Sequence, residues 1–368
     1  MRLQISIRPL NTTKWKKNRD MMKFCRKILK KIKLIVLYFT RIVFVKNNFK
    51  VSFWNKIKSN VFGGFLADQY VLYDLKNNDK NEYLSEFDWY RSRYINEPFN
   101  FAFNNKIVCD QLMKQHIKTP NIYFIKNKET ILDMNNNIYD VEDIYHCIIK
   151  KKKLFFKPFA MGKGKGVSLL SYENDELYID LVKVEKNSLL KYLSLNDKYY
   201  ICEYMEQHEY ASKFYNKTVN TIRIIVFRDI KSKKFKIYYA VQRIGNSRTI
   251  PVDNASKGGL VANIDISTGK LSEARCLHDL NQYVIHPESR SKIKGAVIPN
   301  WNNIKQRILW LSDKFPYMQL IAWDVLVTED DICVIEANTS TGINIIQLWE
   351  GQRNSEFGEF LKYHKVIK

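Results

Sequence analysis

Residues 321–338 read IAWDVLVTEDDICVIEAN, and this stretch decides the fold. Two apolar, β-branched runs flank the acidic turn Glu329-Asp330-Asp331, the pattern of a β-hairpin. With Thr328 facing Ile332, counting outward along an antiparallel pair sets Asp324 directly opposite Glu336. Side chains alternate faces, so Asn338 shares the face of Glu336. The same count gives the other face Ile321, Trp323, Val325, Val327, Cys333 and Ile335, all apolar, and makes it the core side. Carboxylates directly opposite each other repel. A cation between them would relieve the strain, and so would loss of one carboxylate. Oxygen-only donors, two of them acidic, suit Mg²⁺ bridging to a phosphate better than zinc. A solvated polar face is the plain alternative.

A second stretch, Lys150–Leu170, reads KKKKLFFKPFAMGKGKGVSLL. An apolar strand runs into Lys157-Pro158. Gly162, Gly164 and Gly166 then alternate with Lys163 and Lys165, before a second apolar run. The chain has only 13 Gly, and three of them fall within these five residues. Such a strand–loop–strand offers backbone N–H groups at close range without Cβ obstruction, which suits phosphate oxygens. Lys157 sits in an apolar strand, where an unpaired ammonium is costly and a phosphate would satisfy it. The loop is neither a P-loop, which leads into a helix, nor a protein-kinase loop, whose HRD and DFG signatures are missing. A flexible hairpin turn is the alternative.

These two features in this order resemble the ATP-grasp superfamily. The run between them is similar to the sugar-transfer-associated ATP-grasp family of surface-polysaccharide genes: YYICEYM at Tyr199–Met205, NTIRIIVFRD at Asn220–Asp229, AVQRIG at Ala240–Gly245 and VDNASKGG at Val252–Gly259, followed by His286-Pro287 and Trp323-Asp324. The resemblance covers roughly residues 60–350. It implies an α+β ATP-grasp fold, two lobes clamping Mg·ATP after a small preceding domain. It also implies an ADP-forming carboxylate–amine ligase working through an acyl-phosphate. The acceptors would be a sugar acid or other glycan carboxylate and an amino acid or amino alcohol. A sugar kinase and a non-catalytic component of a glycan-assembly complex are the alternatives.

The resemblance also distributes roles. Lys106 and Lys157 would reach the nucleotide phosphates, with Gly162, Gly164 and Gly166 as the lid. Glu203 would accept from the adenine amino group beside the backbone of Tyr204 and Met205. Asp324, Glu336 and Asn338 would hold Mg²⁺, and Arg223 and Arg243 would face the transferring phosphoryl group. Lys257, Gly258 and Gly259 would meet an anionic group of the acceptor. One departure is Thr341-Gly342, where many relatives have Pro-Gly. Read without the family, Arg223 and Arg243 could be a strand-face pair for acids such as Asp229. His286 could be a turn-capping imidazole, and Lys257–Gly259 a plain glycine turn.

The chain has 368 residues, 45% hydrophobic and 14% aromatic, enough for a folded protein of two or three lobes. Six scattered Cys with no CxxC argue against disulfides and structural zinc and for a reducing cytoplasmic setting. Of the net charge of +22, residues 1–60 hold +16, from 17 Lys/Arg against Asp20 alone. Residues 14–45 begin as a basic amphipathic helix with Met22, Phe24, Cys25, Ile28, Leu29 and Ile32 as its stripe. The apolar run Leu34–Val45 is too short and too charged to span a membrane. The segment could lie on an anionic membrane at the cytoplasmic face, or pack its stripe on the body. No nucleic-acid motif accompanies the charge.

The expected divisions are 1–60, the basic segment; 61–149, a preceding domain; 150–206, the small lobe with the Gly-rich loop; and 207–368, the large lobe with the metal site. Helices are expected over 79–95, 104–117 and 301–315, and strands over 121–125 and 130–138.

Overall fold

The computed structural model describes residues 12–159 and 165–368, with side chains from Arg19 onward. Gly162 and Gly164 of the expected lid lie outside the described residues. Two antiparallel sheets carry the fold. The first contains β1 (Ile122–Asn127), β2 (Thr130–Leu132), β3 (Ile138–Tyr139), β4 (Lys153–Pro158), β5 (Ser168–Glu173), β6 (Glu176–Ile179), β7 (Val182–Val184) and β8 (Tyr199–Glu203). Their order is β3-β2-β1-β8-β4-β5-β6-β7. The ladder between β1 and β8 draws 122–139 into the same layer as 150–206, so the expected boundary at 150 falls inside this sheet.

The central strand β4 is buried along Leu154–Pro158. One face packs with Ile144 and Ile148 of helix Val141–Lys151 and with Leu189 and Leu193 of helix Lys186–Leu195. The other face packs toward the second sheet. Two-sided burial is why Leu154-Phe155-Phe156 is unbroken rather than alternating.

The second sheet contains β9 (Ile222–Arg228), β10 (Phe235–Ile244), β11 (Leu260–Ile264), β12 (Leu271–Cys276), β13 (Gln282–Tyr283), β14 (Leu320–Val327) and β15 (Ile332–Asn338), in the order β13-β12-β11-β10-β9-β14-β15. Helix Trp301–Asp313 covers one face through Trp301, Ile304, Ile308 and Leu311. The other face meets Phe357, Phe360 and Leu361 of helix Glu356–Tyr363. A third apolar cluster lies between the sheets, where Ile122, Phe155, Tyr200 and Cys202 meet Leu326 and Cys333.

The β14–β15 hairpin pairs Asp324 with Glu336 as the sequence predicts, by a different route. Val327 pairs with Ile332, so the turn is one residue longer than expected. A bulge between Asp324 and Val325 restores the register. The face assignment changes with it. Val325, Ile332 and Val334 join Trp323 in the core, whereas Cys333 and Ile335 join Leu326 on the inter-sheet side. A single inserted residue flips every side chain between turn and bulge.

The N-terminal segment forms helix Thr12–Tyr38, continued by a π-helical turn Phe39–Val43. Ser52 caps a second helix, Phe53–Gly63, which ends at Gly64 in the left-handed region. The stripe of Met22, Phe24, Cys25, Ile28, Leu29 and Ile32 is exposed and does not pack on the body. The side that docks carries Lys30, Leu34, Leu37 and Tyr38. No described helix is long and apolar enough to cross a membrane.

Candidate active site

Alternation along β14 sets the centre of the site. Leu320, Ala322, Asp324 and Leu326 share one face, so the carboxylate lies between apolar neighbours and is almost fully buried. Its register partner on β9 is Arg223. Arg223 Nε and Nη2 donate to Oδ1 and Oδ2 of Asp324, both at 2.7 Å. Arg243, on the same face of β10, donates from Nη1 to Asp324 Oδ2 at 3.0 Å. Its Nη2 lies 2.5 Å from Asp253 Oδ1. Asp253 Oδ2 in turn accepts from Thr221 N and Oγ1, each at 2.6 Å.

The result is a buried chain, Arg223–Asp324–Arg243–Asp253, that anchors the start of β9. The partner of the arginines is therefore not Asp229, which pairs with Lys236 of β10 beyond the end of β9. The carboxylate repulsion expected in the hairpin is offset by two guanidiniums. The expectation that losing a carboxylate relieves strain reverses at Asp324.

The pKa directions follow from this geometry. Burial pushes the Asp324 carboxyl up, but Arg223 and Arg243 outweigh it and hold the group below its ordinary 3.8. Burial likewise opposes the charge of Arg223, and Asp324 raises it above its ordinary range. Asp253 goes the other way, raised by burial despite Arg243. A depressed carboxyl favours the fold above its unfolded pKa and loses that contribution as pH falls through the folded value. The stability gap between the protein and Asp324→Asn is therefore expected to narrow as pH falls below 3.8. Urea unfolding across that range measures it.

Next to this chain, a pocket opens between the sheets. It is lined by Lys106, Asp110, Lys157, Tyr200, Cys202 and Glu336, among others. Asn105 starts helix Lys106–Met113 by accepting from the N–H groups of Ile107 and Val108. Helical spacing then points Lys106, Cys109, Asp110 and Met113 into the pocket together. Lys157 enters from β4, opposite Tyr200 on β8. It is 92% buried, its exposure being 8%, and no carboxylate among the described residues lies within ion-pair distance. Its Nζ stands 5.0 Å from the Phe155 ring centroid. Burial raises the Cys202 thiol beside it, an effect that Lys157 opposes.

Glu336 makes no hydrogen bond or ion pair among the described residues, and Asn338 has a buried Nδ2 without a partner. Together with Asp324, both of whose oxygens already accept from Arg223 and Arg243, they supply only oxygen-type donors on one sheet face, the donor chemistry that suits Mg²⁺. No group of three His, Cys, Asp or Glu forms among the described residues, so the set depends on the Asn338 amide.

The remaining expected residues are placed as follows. Glu203 ends β8, and its Oε2 accepts from Asn121 N at 3.2 Å and Nδ2 at 2.7 Å. That bond ties β8 to the start of β1 and occupies one carboxylate oxygen. Tyr204 stacks on Phe155, with centroids 5.4 Å apart, and Met205 is buried in the inter-sheet cluster. Gly166 has φ +68°, a conformation suited to glycine.

Lys257 closes a short 3₁₀ turn before Gly258, with φ +97°. A Cβ on Gly259 would stand 2.9 Å from the Asp253 carbonyl oxygen, so this glycine permits a close backbone approach. Burial raises the Asp180 carboxyl in the turn between β6 and β7, and the Lys257 charge opposes that rise. His286 is fully buried. Its Nε2 is 2.9 Å from the Gly245 carbonyl, and its Nδ1 accepts from Glu288 and Ser289 N–H groups. That is the capping imidazole, with no ring nitrogen left for catalysis.

Asp253, Asp110 and Asn121 were not singled out in the sequence. Asp253 lies inside VDNASKGG, and its burial beside Thr221 has no periodic signal. Asp110 is four residues after Lys106, a spacing that could have flagged it.

The model of the sugar-transfer associated ATP-grasp family matches residues 87–356, most of the chain. The chain belongs to that family and has the ATP-grasp fold. No curated protein matches it. Among solved structures, an ADP complex of N5-carboxyaminoimidazole ribonucleotide synthetase is 12% identical, with TM-score 0.39, over 66% of this chain and 46% of that one. The ATP-grasp ligase PsnB, with minimal precursor, Mg and ADP, is 12% identical, with TM-score 0.38, over 74% and 62%. D-alanine-D-alanine ligase from Helicobacter pylori is 17% identical, with TM-score 0.38, over 73% and 62%. The chain thus spans about half to three fifths of the length of these structures.

Proposed function

We propose that the protein is an ATP-dependent carboxylate–amine ligase. ATP would phosphorylate a carboxylate, and an amine would then displace phosphate to form an amide. The observation that carries this reading is the pocket itself. Two lysines and Glu336 line one cavity beside a fixed pair of arginines, within a chain of the sugar-transfer associated ATP-grasp family.

Lys106 and Lys157 would bind phosphate oxygens. Among the described residues no carboxylate lies within ion-pair distance of Lys157, which leaves its charge available to a phosphate. Asp324, Glu336 and Asn338 would hold Mg²⁺, which when bound neutralises charge between the phosphates. Asp324 and Asp253 hold the arginines in place before any ligand arrives, so the cations need no reorganisation. Arg223 and Arg243 would present their remaining N–H groups to the transferring phosphoryl. Glu203 keeps one oxygen for the adenine amino group beside the Tyr204 and Met205 backbone. Lys257, Gly258 and Gly259 would meet the acceptor's anionic group. The acceptor itself is proposed to be a sugar acid of a surface glycan, a reading toward which the family's description contributes only an association with sugar transfer.

Incubation with ATP, Mg²⁺, a uronic acid and an amine tests the reaction. ADP, phosphate and an amide support it. A phosphorylated sugar with ADP and no free phosphate would make the protein a kinase. Glu336→Gln tests the metal ligand. Glu336 makes no hydrogen bond or ion pair among the described residues, so this variant is expected to keep its melting temperature and lose on the order of 100-fold in turnover. Unchanged turnover removes Glu336 from the site.

A further inference from the structure

We propose that the N-terminal helices form a docking surface for an anionic lipid bilayer. The proposal is independent of the ligase reading. An amphipathic helix of a folded domain ordinarily turns its apolar side inward. Helix Thr12–Tyr38 instead leaves its long apolar stripe outside and docks through a mixed side of Lys30, Leu34, Leu37 and Tyr38. Its docked side carries Lys30, whose Nζ pairs with Glu97 at 3.4 Å and stands 3.8 Å from the Tyr94 ring centroid. Tyr38 completes the anchor, donating to the Asn60 carbonyl at 2.7 Å. Phe24, Ile28, Ile32, Ile35 and Phe39 recur every three or four residues on the other side, between 40% and 64% exposed.

The next helix extends the same character. Trp54 is 70% exposed and Phe62 is 69% exposed. Asn60 ties this helix to the π turn by donating to the Ile42 carbonyl at 3.5 Å. Exposed apolar area on this scale marks an interaction surface.

Charge selects the occupant. Residues 1–60 carry a net +16. Two such surfaces repel, which disfavours a second copy of the chain. A nucleic acid would satisfy the charge and leave the apolar strip in water. An anionic bilayer satisfies both, because the strip enters the acyl boundary while Lys31 and Lys33 at its borders reach the headgroups. An exposed indole such as Trp54 suits the headgroup level of a bilayer.

Sedimentation of the full chain with vesicles of phosphatidylcholine, with and without phosphatidylglycerol, tests the proposal. At low salt, at least tenfold tighter binding to the anionic vesicles is expected, weakening as salt rises. The double variant Ile28→Glu, Ile32→Glu changes exposed positions only. It is expected to lose at least tenfold in vesicle binding and to keep the wild-type melting temperature. Trp54→Ala with Phe62→Ala, on the other helix, is expected to weaken vesicle binding as well, so the test does not rest on one variant's folding. Equal binding to neutral vesicles, equal binding by wild type and both variants, or a dimer that the first variant abolishes would overturn the proposal.

Discussion

Asp324→Ala is expected to destabilise the fold by about 3–5 kcal/mol and to abolish turnover. The carboxylate is 6% exposed and receives three guanidinium hydrogen bonds, from Arg223 and Arg243. Its removal leaves Arg223 buried with no anion in contact and Arg243 with Asp253 alone. An uncompensated buried charge costs more than the pair contributes, which is why the single deletion is severe. Glu336→Ala, one strand away on the same face, lacks any such partner and is expected to cost far less stability. Urea unfolding of both variants separates the two. Similar losses would mean that the arginine pair does not hold the sheet, and wild-type stability in Asp324→Ala would remove the buried chain from the account.

The contrast between these neighbours shows what the sequence discloses. The Asp324–Glu336 pairing was legible, because a two-residue period and a turn set the register even when turn and bulge each differ by one. The use of that pairing was not. Arg223 and Asp324 are about a hundred residues apart, and only the neighbouring ladder of β9 and β14 brings them together. Asp253 reaches Arg243 from a loop, where no period exists to read.

The small lobe's core was legible from Leu154-Phe155-Phe156, whereas its extent was not. Strands β2 and β3 are short, and all three strands join the sheet through the one ladder between β1 and β8. The N-terminal helix was legible as amphipathic. Which side it turns to the body was decided by Lys30, Leu34 and Tyr38, positions that look like the polar face in a wheel drawn from the first half alone.

Lys157 tests whether nucleotide phosphates bind in the pocket between the sheets. The residue is an ammonium buried in an apolar strand without a carboxylate partner among the described residues, an arrangement that costs the unliganded fold. Lys157→Met preserves length and apolar contact while removing the charge. Its melting temperature is therefore expected to equal or exceed that of the wild type. Its affinity for Mg·ADP should drop roughly 10–100-fold, the equivalent of the 1.5–3 kcal/mol of a charge-assisted hydrogen bond. Titration calorimetry of Mg·ADP into both proteins is the most direct measurement. Tight binding by the wild type, with that loss in a variant at least as stable, is the expected result. No binding by the wild type, or equal binding by the two, would mean that nucleotide phosphates do not meet Lys157.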